Sequence, residues 1–227
     1  AALCGIGFTI SLFIVDLAID DEVAQNEARV GVLAASVLAF VVATIVFRVS
    51  DALHPDVQTG ETLVRPVDPR RDHIFGSMQA PYEIVEYGDF QCPFCLKASG
   101  SIEEVRRELG DQLRYVWRHA PLTTQHPNAL AGAEASEAAA LQGRFFEFER
   151  GLFSDQEHQL PSDIVRLAAS LGLDVERFER DLTAPEVTAR VRDDMLDAEA
   201  MNISSVPTFF LNGRRHHGPY DAQTLIR

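Results

Sequence analysis

The sequence predicts a mixed α/β domain whose sheet is interrupted by a run of helices, preceded by two transmembrane α-helices. Three observations lead there. An apolar, strand-like lead-in (Ile84, Val85, Tyr87, Phe90) runs into two cysteines, Cys92 and Cys95, separated by two residues. Helical patterning then fills residues 122–202, between strand-like segments at 113–118 and 208–211. Finally, residues 1–19 carry few polar groups and residues 30–47 carry no charge at all, so a bilayer is the better solvent for that second run.

The cysteine pair carries the chemistry. Behind it, residues 96–109 place Ile102, Val105 and Leu109 at helical spacing, so Cys92 falls at a helix start. Unpaired N–H groups and the helix dipole favour negative charge there. A thiolate at Cys92 is therefore stabilised, and the thiolate is the attacking species. Two intervening residues let Cys95 reach back. The expected cycle is attack by Cys92, a mixed disulfide, and resolution by Cys95. The same spacing is half of a structural zinc site, but a Cys4 site needs a second pair. This chain has 3 cysteines, and the third, Cys4, lies in the apolar N-terminal run. His119, His126, His158, His216 and His217 show no helical metal-ligand spacing, so no metal and no cofactor is expected. A passive structural disulfide is the remaining alternative.

The stretch Glu86-Tyr-Gly-Asp-Phe-Gln-Cys-Pro-Phe-Cys95 resembles the DsbA-like thiol–disulfide oxidoreductases, a thioredoxin fold with a helical insertion. The resemblance runs from about residue 72 to 227. It includes a second motif, Ile203-Ser-Ser-Val-Pro-Thr-Phe-Phe-Leu211, whose Val206-Pro207 resembles the family's cis-proline loop opposite the cysteines. That loop implies an exposed Val206 backbone to which a substrate strand adds, with Ser204 and Ser205 leaving room. Pro93, Phe94, Val206 and Pro207 are the expected substrate-facing residues. Glu86 stands where the family keeps an acidic residue, which implies proton transfer to or from Cys95, aided by burial. Strand alternation leaves open whether Glu86 is buried, since Val85 and Tyr87 face opposite to it. No His lies between the cysteines, so Cys92 is expected to be lowered less, and the couple to be less oxidising, than in members with one.

The remaining elements follow from local signals. Residues 128–142 are Ala-rich and helix-favouring. Phe145, Phe146, Phe148 and Phe153 read as core. Pro161 opens a helix, Gly172 ends it, and Asp174 caps the next. Residues 185–201 form the last inserted helix. Asn212-Gly213 is a hairpin turn pairing 208–211 with 214–217, and 221–227 begins a closing helix. His119 reads as a strand-end residue, and adjacent His216 and His217 face opposite ways.

At the N-terminus, Leu3-Cys-Gly-Ile-Gly-Phe-Thr-Ile-Ser-Leu-Phe-Ile14 is similar to the penultimate helix of NhaA-type sodium/proton antiporters, and Gly31-Val-Leu-Ala-Ala-Ser36 suits their last helix. The resemblance implies a helix interrupted near its middle, which Gly5 and Gly7 fit. The family's ion-binding acids lie on earlier helices, so no transport site carries over. Asp16 is either an intramembrane functional carboxylate or a helix end meeting water. Between the two spans an acidic connection is expected, with Asp20, Asp21, Glu22, Glu27 and Arg29. The first residue is not Met and the closing helix stops early, so a fragment of a longer chain is expected.

The predicted organisation is therefore 1–49, two antiporter-like transmembrane helices; 50–71, an extended tether with Pro55, Pro66 and Pro69; and 72–227, the catalytic domain. A formal charge of −14 argues against a nucleic-acid surface. Expected partners are a dithiol or disulfide protein substrate, a redox partner for turnover, membrane lipid and the missing antiporter helices. Arg48 after the second span points to a cytoplasmic C-terminal side by the positive-inside rule, where the dithiol would act as reductase or redox sensor, whereas the DsbA-like resemblance implies an oxidising, periplasmic or extracellular side. The second function hypothesis is an antiporter whose thioredoxin-like domain regulates it; the third is a non-catalytic binding module.

Overall fold

The computed structural model describes residues 13–15, 17–19, 21–53 and 60–226. The chain divides into two compact units, one over residues 1–57 and one over residues 58–227. Cys4, Gly5, Gly7 and Asp16 lie outside the described residues, as does most of the expected first span.

In the first unit, helix α1 spans Glu22–Leu53. Asp21 sets its start by accepting a 3.0 Å hydrogen bond from the Ala24 N–H. The expected acidic connection is thus corrected: Glu22, Glu27 and Arg29 belong to the helix, because Asp21 caps one of the free N–H groups and no Gly or Pro interrupts the turn that follows. Residues Glu22–Val46 reach a mean hydropathy of 2.3 and are unburied, so they are long and apolar enough to cross a membrane. Two hydroxyls in this run fold back on the backbone: Ser36 donates to the Val32 carbonyl and Thr44 to the Phe40 carbonyl, both at 2.8 Å. This removes free polar groups from an apolar surface.

The second unit is a five-stranded sheet in the order β1-β3-β2-β4-β5. Strand β1 is His73–Gly76, β2 is Tyr82–Gly88, β3 is Leu113–His119, β4 is Thr208–Leu211 and β5 is Arg214–Arg215. Strands β2 and β3 are parallel and require a crossover, which helix α2 (Pro93–Leu109) supplies. The other pairs are antiparallel. Helices α3 (Ala129–Ala140), α4 (Phe145–Ser154), α5 (Pro161–Ser170), α6 (Val175–Asp181) and α7 (Pro185–Ala200) lie between β3 and β4 in sequence. A short α8 (Ala222–Leu225) packs on α2. The domain is thus an α/β thioredoxin-like fold with an inserted helical subdomain. Asp174 caps α6 from its side chain, and Asn212 and Gly213 turn the hairpin with positive φ of 48° and 78°.

Aromatic packing ties the insertion to the sheet. Phe90 stacks on Trp117 at 4.7 Å between centroids, and Phe153 of α4 meets Phe90 edge-on at 5.3 Å. Strand β2 is buried on both faces from Ile84 to Gly88, which is why alternation could not place Glu86.

The expected extended tether is docked on the domain from Gly60 onward. Gly60 has φ of 105°, and a Cβ there would lie 2.1 Å from the Met201 carbonyl oxygen, so only glycine fits. Leu63 N–H donates to the Gly213 carbonyl at 2.9 Å, and Arg65 pairs with Asp197. The fully buried Arg118 explains this docking. Its guanidinium donates to both oxygens of Asp72 at 3.0 and 2.9 Å, to the carbonyls of Arg65 and Pro66, and to the Tyr87 hydroxyl. Burial pushes the Asp72 carboxyl up, but the hydrogen bond and charge of Arg118 outweigh it and hold the group below its ordinary value. Removing one partner of such a buried pair typically costs ~3–5 kcal/mol.

Candidate functional site

The site begins where β2 ends. Asp89 turns the chain: its Oδ1 accepts from the Gln91 N–H at 2.8 Å and its Oδ2 from the Leu122 N–H at 2.8 Å. Cys92 then caps α2, with Pro93 in the first turn, where a missing N–H does no harm. The inserted subdomain holds the turn from above. Gln156 Nε2 donates to the carbonyls of Phe90 and Cys92 at 2.8 and 3.0 Å, and Gln159 Nε2 donates to the Phe90 carbonyl at 3.1 Å. Gln91 Oε1 in return accepts from the Asn128 N–H at 2.6 Å.

The two sulfurs are free thiols with opposite properties. A hydrogen bond from Cys95 and further ones from the first backbone N–H groups of α2 bring the Cys92 thiol down from 9.0 to about 6, against the opposing effect of burial. Cys95 is fully buried, and desolvation pushes its thiol far up. The Cys92 Sγ lies 3.6 Å from the Val206 carbonyl oxygen, to which its S–H donates. The Val206–Pro207 peptide bond is cis. A cavity of about 270 Å³ adjoins the sulfur, lined by Cys92, Pro93, Phe94, Leu122, His126 and Val206 among others. Thus Cys92, Cys95, Pro93, Phe94 and Val206 come together; Phe94 is 63% exposed.

Glu86 lies within the core, 1% exposed. Burial raises its carboxyl from 4.5 to about 8, opposed by the Tyr115 hydroxyl, which donates to its Oε2 at 2.9 Å. Its Oε1 has no hydrogen-bond partner among the described residues. The Glu86 charge in turn raises the Cys95 thiol, so the two groups lie within electrostatic reach.

The sequence alone had missed His126. With no His between the cysteines, no imidazole was expected near Cys92, yet the loop after β3 brings one to the same cavity. His126 Nδ1 pairs with Asp89 Oδ2 at 2.8 Å, and its positive form favours the Cys92 thiolate. Tyr115, Glu149, Gln156 and Gln159 were missed too; no local signal marks them, because only the tertiary fold brings them to the motif.

His119 is also more than a strand end. His119 Nε2 and His73 Nε2 both meet Glu137 Oε1, at 2.8 and 2.7 Å. Two imidazoles and a carboxylate within 4.8 Å of one another are a metal-ligand set by type. The His119 ring has no lone pair to offer there, however. Trp117 Nε1 can only donate, and it does so to His119 Nδ1 at 3.2 Å. The proton of His119 therefore sits on Nε2 and points at Glu137. The triad is a hydrogen-bonded brace between β1, β3 and α3.

A titration follows from this geometry. Thiolate absorbance and alkylation of Cys92 should rise with pH through a midpoint of about 6 and level off above it, because the deprotonated form is the reactive one. His126→Ala should move the midpoint upward. A midpoint near the ordinary 9.0 in the unsubstituted protein would remove the electrostatic basis of the site.

Comparison with known proteins matches this architecture. The family described as Thioredoxin matches residues 69–227, and that described as Na+/H+ antiporter 1 matches residues 1–47. The chain is 57% identical over 229 residues to "Na(+)/H(+) antiporter NhaA 1" of Mycobacterium sp. (strain KMS), covering 100% of this chain and 37% of that protein. It is 43% identical to "Na(+)/H(+) antiporter NhaA" of Herminiimonas arsenicoxydans, over 99% of this chain and 36% of that one. The chain thus spans little more than a third of the length of these relatives. Among solved structures, a thioredoxin-like oxidoreductase from Silicibacter pomeroyi DSS-3 superposes with a TM-score of 0.63 at 26% identity, covering 70% of this chain and 90% of the other. BdbD from Bacillus subtilis (oxidised) gives 0.63 at 21% identity, covering 73% and 95%, a likeness of fold. The chain therefore belongs to the thioredoxin family, as a DsbA-like thioredoxin-fold domain fused behind an NhaA-type sodium/proton antiporter segment.

Proposed function

We propose that the thioredoxin domain is a thiol–disulfide oxidoreductase that works through Cys92 and Cys95 on dithiols or disulfides of proteins or small molecules. The observation that carries this is the asymmetry of the two sulfurs. Cys92 is lowered to about 6 beside a cavity, and Cys95 is raised and buried behind it. In the reducing direction the Cys92 thiolate attacks a substrate disulfide and expels one substrate thiolate. Cys95 then loses its proton and attacks Cys92 Sγ. The mixed disulfide breaks, the second substrate thiolate leaves, and an enzyme disulfide remains; the substrate has gained two electrons and the enzyme has lost them. Glu86 takes the Cys95 proton, which its raised pKa suits. Pro93 and Phe94 border the substrate at the helix start, while Val206 and Pro207 present backbone to an extended substrate strand. Cys92→Ser should abolish turnover, and Cys95→Ser should accumulate the mixed disulfide, detectable by mass. Normal turnover by either variant would refute the assignment.

We place the domain on the cytoplasmic side, held in the membrane by the antiporter-like segment. Arg48 stands exposed at the C-terminal end of the apolar run, as the positive-inside rule requires of a cytoplasmic flank. Labelling by a membrane-impermeant thiol reagent should then require permeabilisation and no added reductant. Labelling of intact cells only after reduction would place an oxidised pair outside.

The relatives' name favours a second reading, in which the whole protein exchanges sodium for protons and the redox domain regulates it. Full-length protein in liposomes should then show sodium-driven proton flux that differs between the dithiol and disulfide states. Equal flux in both states would leave the domain an independent oxidoreductase.

A further inference from the structure

Cys95 has a proton to lose and no way to lose it toward the substrate. The thiol is fully buried, and the cavity at Cys92 is the place a substrate must fill while the mixed disulfide exists. A second cavity, of about 300 Å³, opens between α2 and α4 and shares no lining residue with the first. Leu96, Ile102 and Phe153 give it apolar walls, and Tyr115 and Glu149 reach it from β3 and α4. Water occupies roughly 30 Å³ per molecule, so solvent fits. Tyr115, which lines this cavity, is also the residue whose hydroxyl donates to Glu86 Oε2. Glu149 is only 6% exposed, yet its carboxylate has neither a hydrogen bond nor an ion pair among the described residues. Its oxygens are not among the fully buried, unpartnered atoms, so the largely desolvated carboxylate still opens on the cavity, and perturbed groups that line a cleft concentrate where protons move.

We propose that Glu149 and Tyr115 form a proton outlet that joins Glu86 and the Cys95 thiol to solvent through the α2–α4 cavity. This deepens the function proposed above and rests on it. As Cys95 Sγ attacks Cys92 Sγ, the S–H bond breaks and the proton passes to Glu86. From there it passes by the Tyr115 hydroxyl into the cavity that Tyr115 and Glu149 both line, where Glu149 exchanges it with solvent. The electron pair of the S–H bond becomes the new S–S bond, and the pair of the mixed disulfide leaves with the substrate thiolate. Reduction of the enzyme disulfide runs the same path inward. Proton exit and substrate docking thus occupy different faces.

The charged and titratable groups around the outlet fit this role. Burial raises the Glu149 carboxyl to about 8, matching Glu86, with Arg106 and Arg150 opposing and Glu103 adding to the rise. The charge of Glu149 also raises Glu86 and Tyr115. Two carboxyls of equal, near-neutral pKa exchange a proton with little loss of driving force.

Full-length protein, reduced, would be mixed with an aromatic disulfide whose thiolate is coloured. The first equivalent released reports attack by Cys92, and the second reports resolution by Cys95. Glu149→Gln should leave the first phase unchanged. It should slow the second by roughly tenfold near neutral pH, less than the ~10²–10⁴-fold of direct general-base loss expected for Glu86→Gln. It should also change the pH profile of the second phase, and Glu149→Asp should restore both. A normal second phase in Glu149→Gln with a slow one in Glu86→Gln overturns the outlet and leaves Glu86 as the base. A normal second phase in both overturns the role of Glu86 and the outlet with it. Equal slowing of both phases by Glu149→Gln means a distorted site and also overturns the outlet.

Discussion

One helix start must hold two thiols in opposite states, and the rest of the domain is arranged around that constraint. The first turn of α2 offers free N–H groups to Cys92, while three residues later the helix carries Cys95 into the core. A stabilised thiolate and a desolvated thiol are therefore consequences of helix geometry, provided the helix start does not move. The structure fixes it from two sides. Asp89 ties the turn to the loop after β3, and Gln156 and Gln159 tie it to the helical insertion. The insertion thus has a mechanical role at the site as well as covering the sheet.

Charge is buried in two places, with different outcomes. Asp72 and Arg118 satisfy one another and help hold residues 60–72 on the domain, where residues 61–63 already bond to the β4–β5 hairpin. Glu86 and Glu149 receive no cation as hydrogen-bonded partner among the described residues, and their carboxyls rise toward neutrality. Paired charge gives rigidity, whereas unpaired charge gives groups able to give and take protons near physiological pH. The same distinction separates the His73–His119–Glu137 brace, joined by hydrogen bonds through Glu137 Oε1, from His126, which stands at the edge of the Cys92 cavity.

The sequence by itself determined the local chemistry. Cys92, Cys95, the helix behind them, the hairpin at Asn212-Gly213 and the apolar run after Val30 are short-range signals, set by spacing, turn propensity and hydropathy. The Val206-Pro207 peptide is cis and lies against Cys92, but the expected exposure of Val206 is corrected: the residue is buried, because its carbonyl faces the Cys92 sulfur. What only tertiary structure decided was the surroundings of those residues. Strand β2 is covered on both faces, so alternation could not say that Glu86 is buried. The imidazole near Cys92 comes from His126, 34 residues beyond that cysteine, and Glu149 arrives from an inserted helix. Residues 60–71 read as part of an extended tether because their partners, Arg118, Asp197 and Met201, are distant in sequence. Desolvation and charge act through space, and their strength at a residue depends on what folding packs against it.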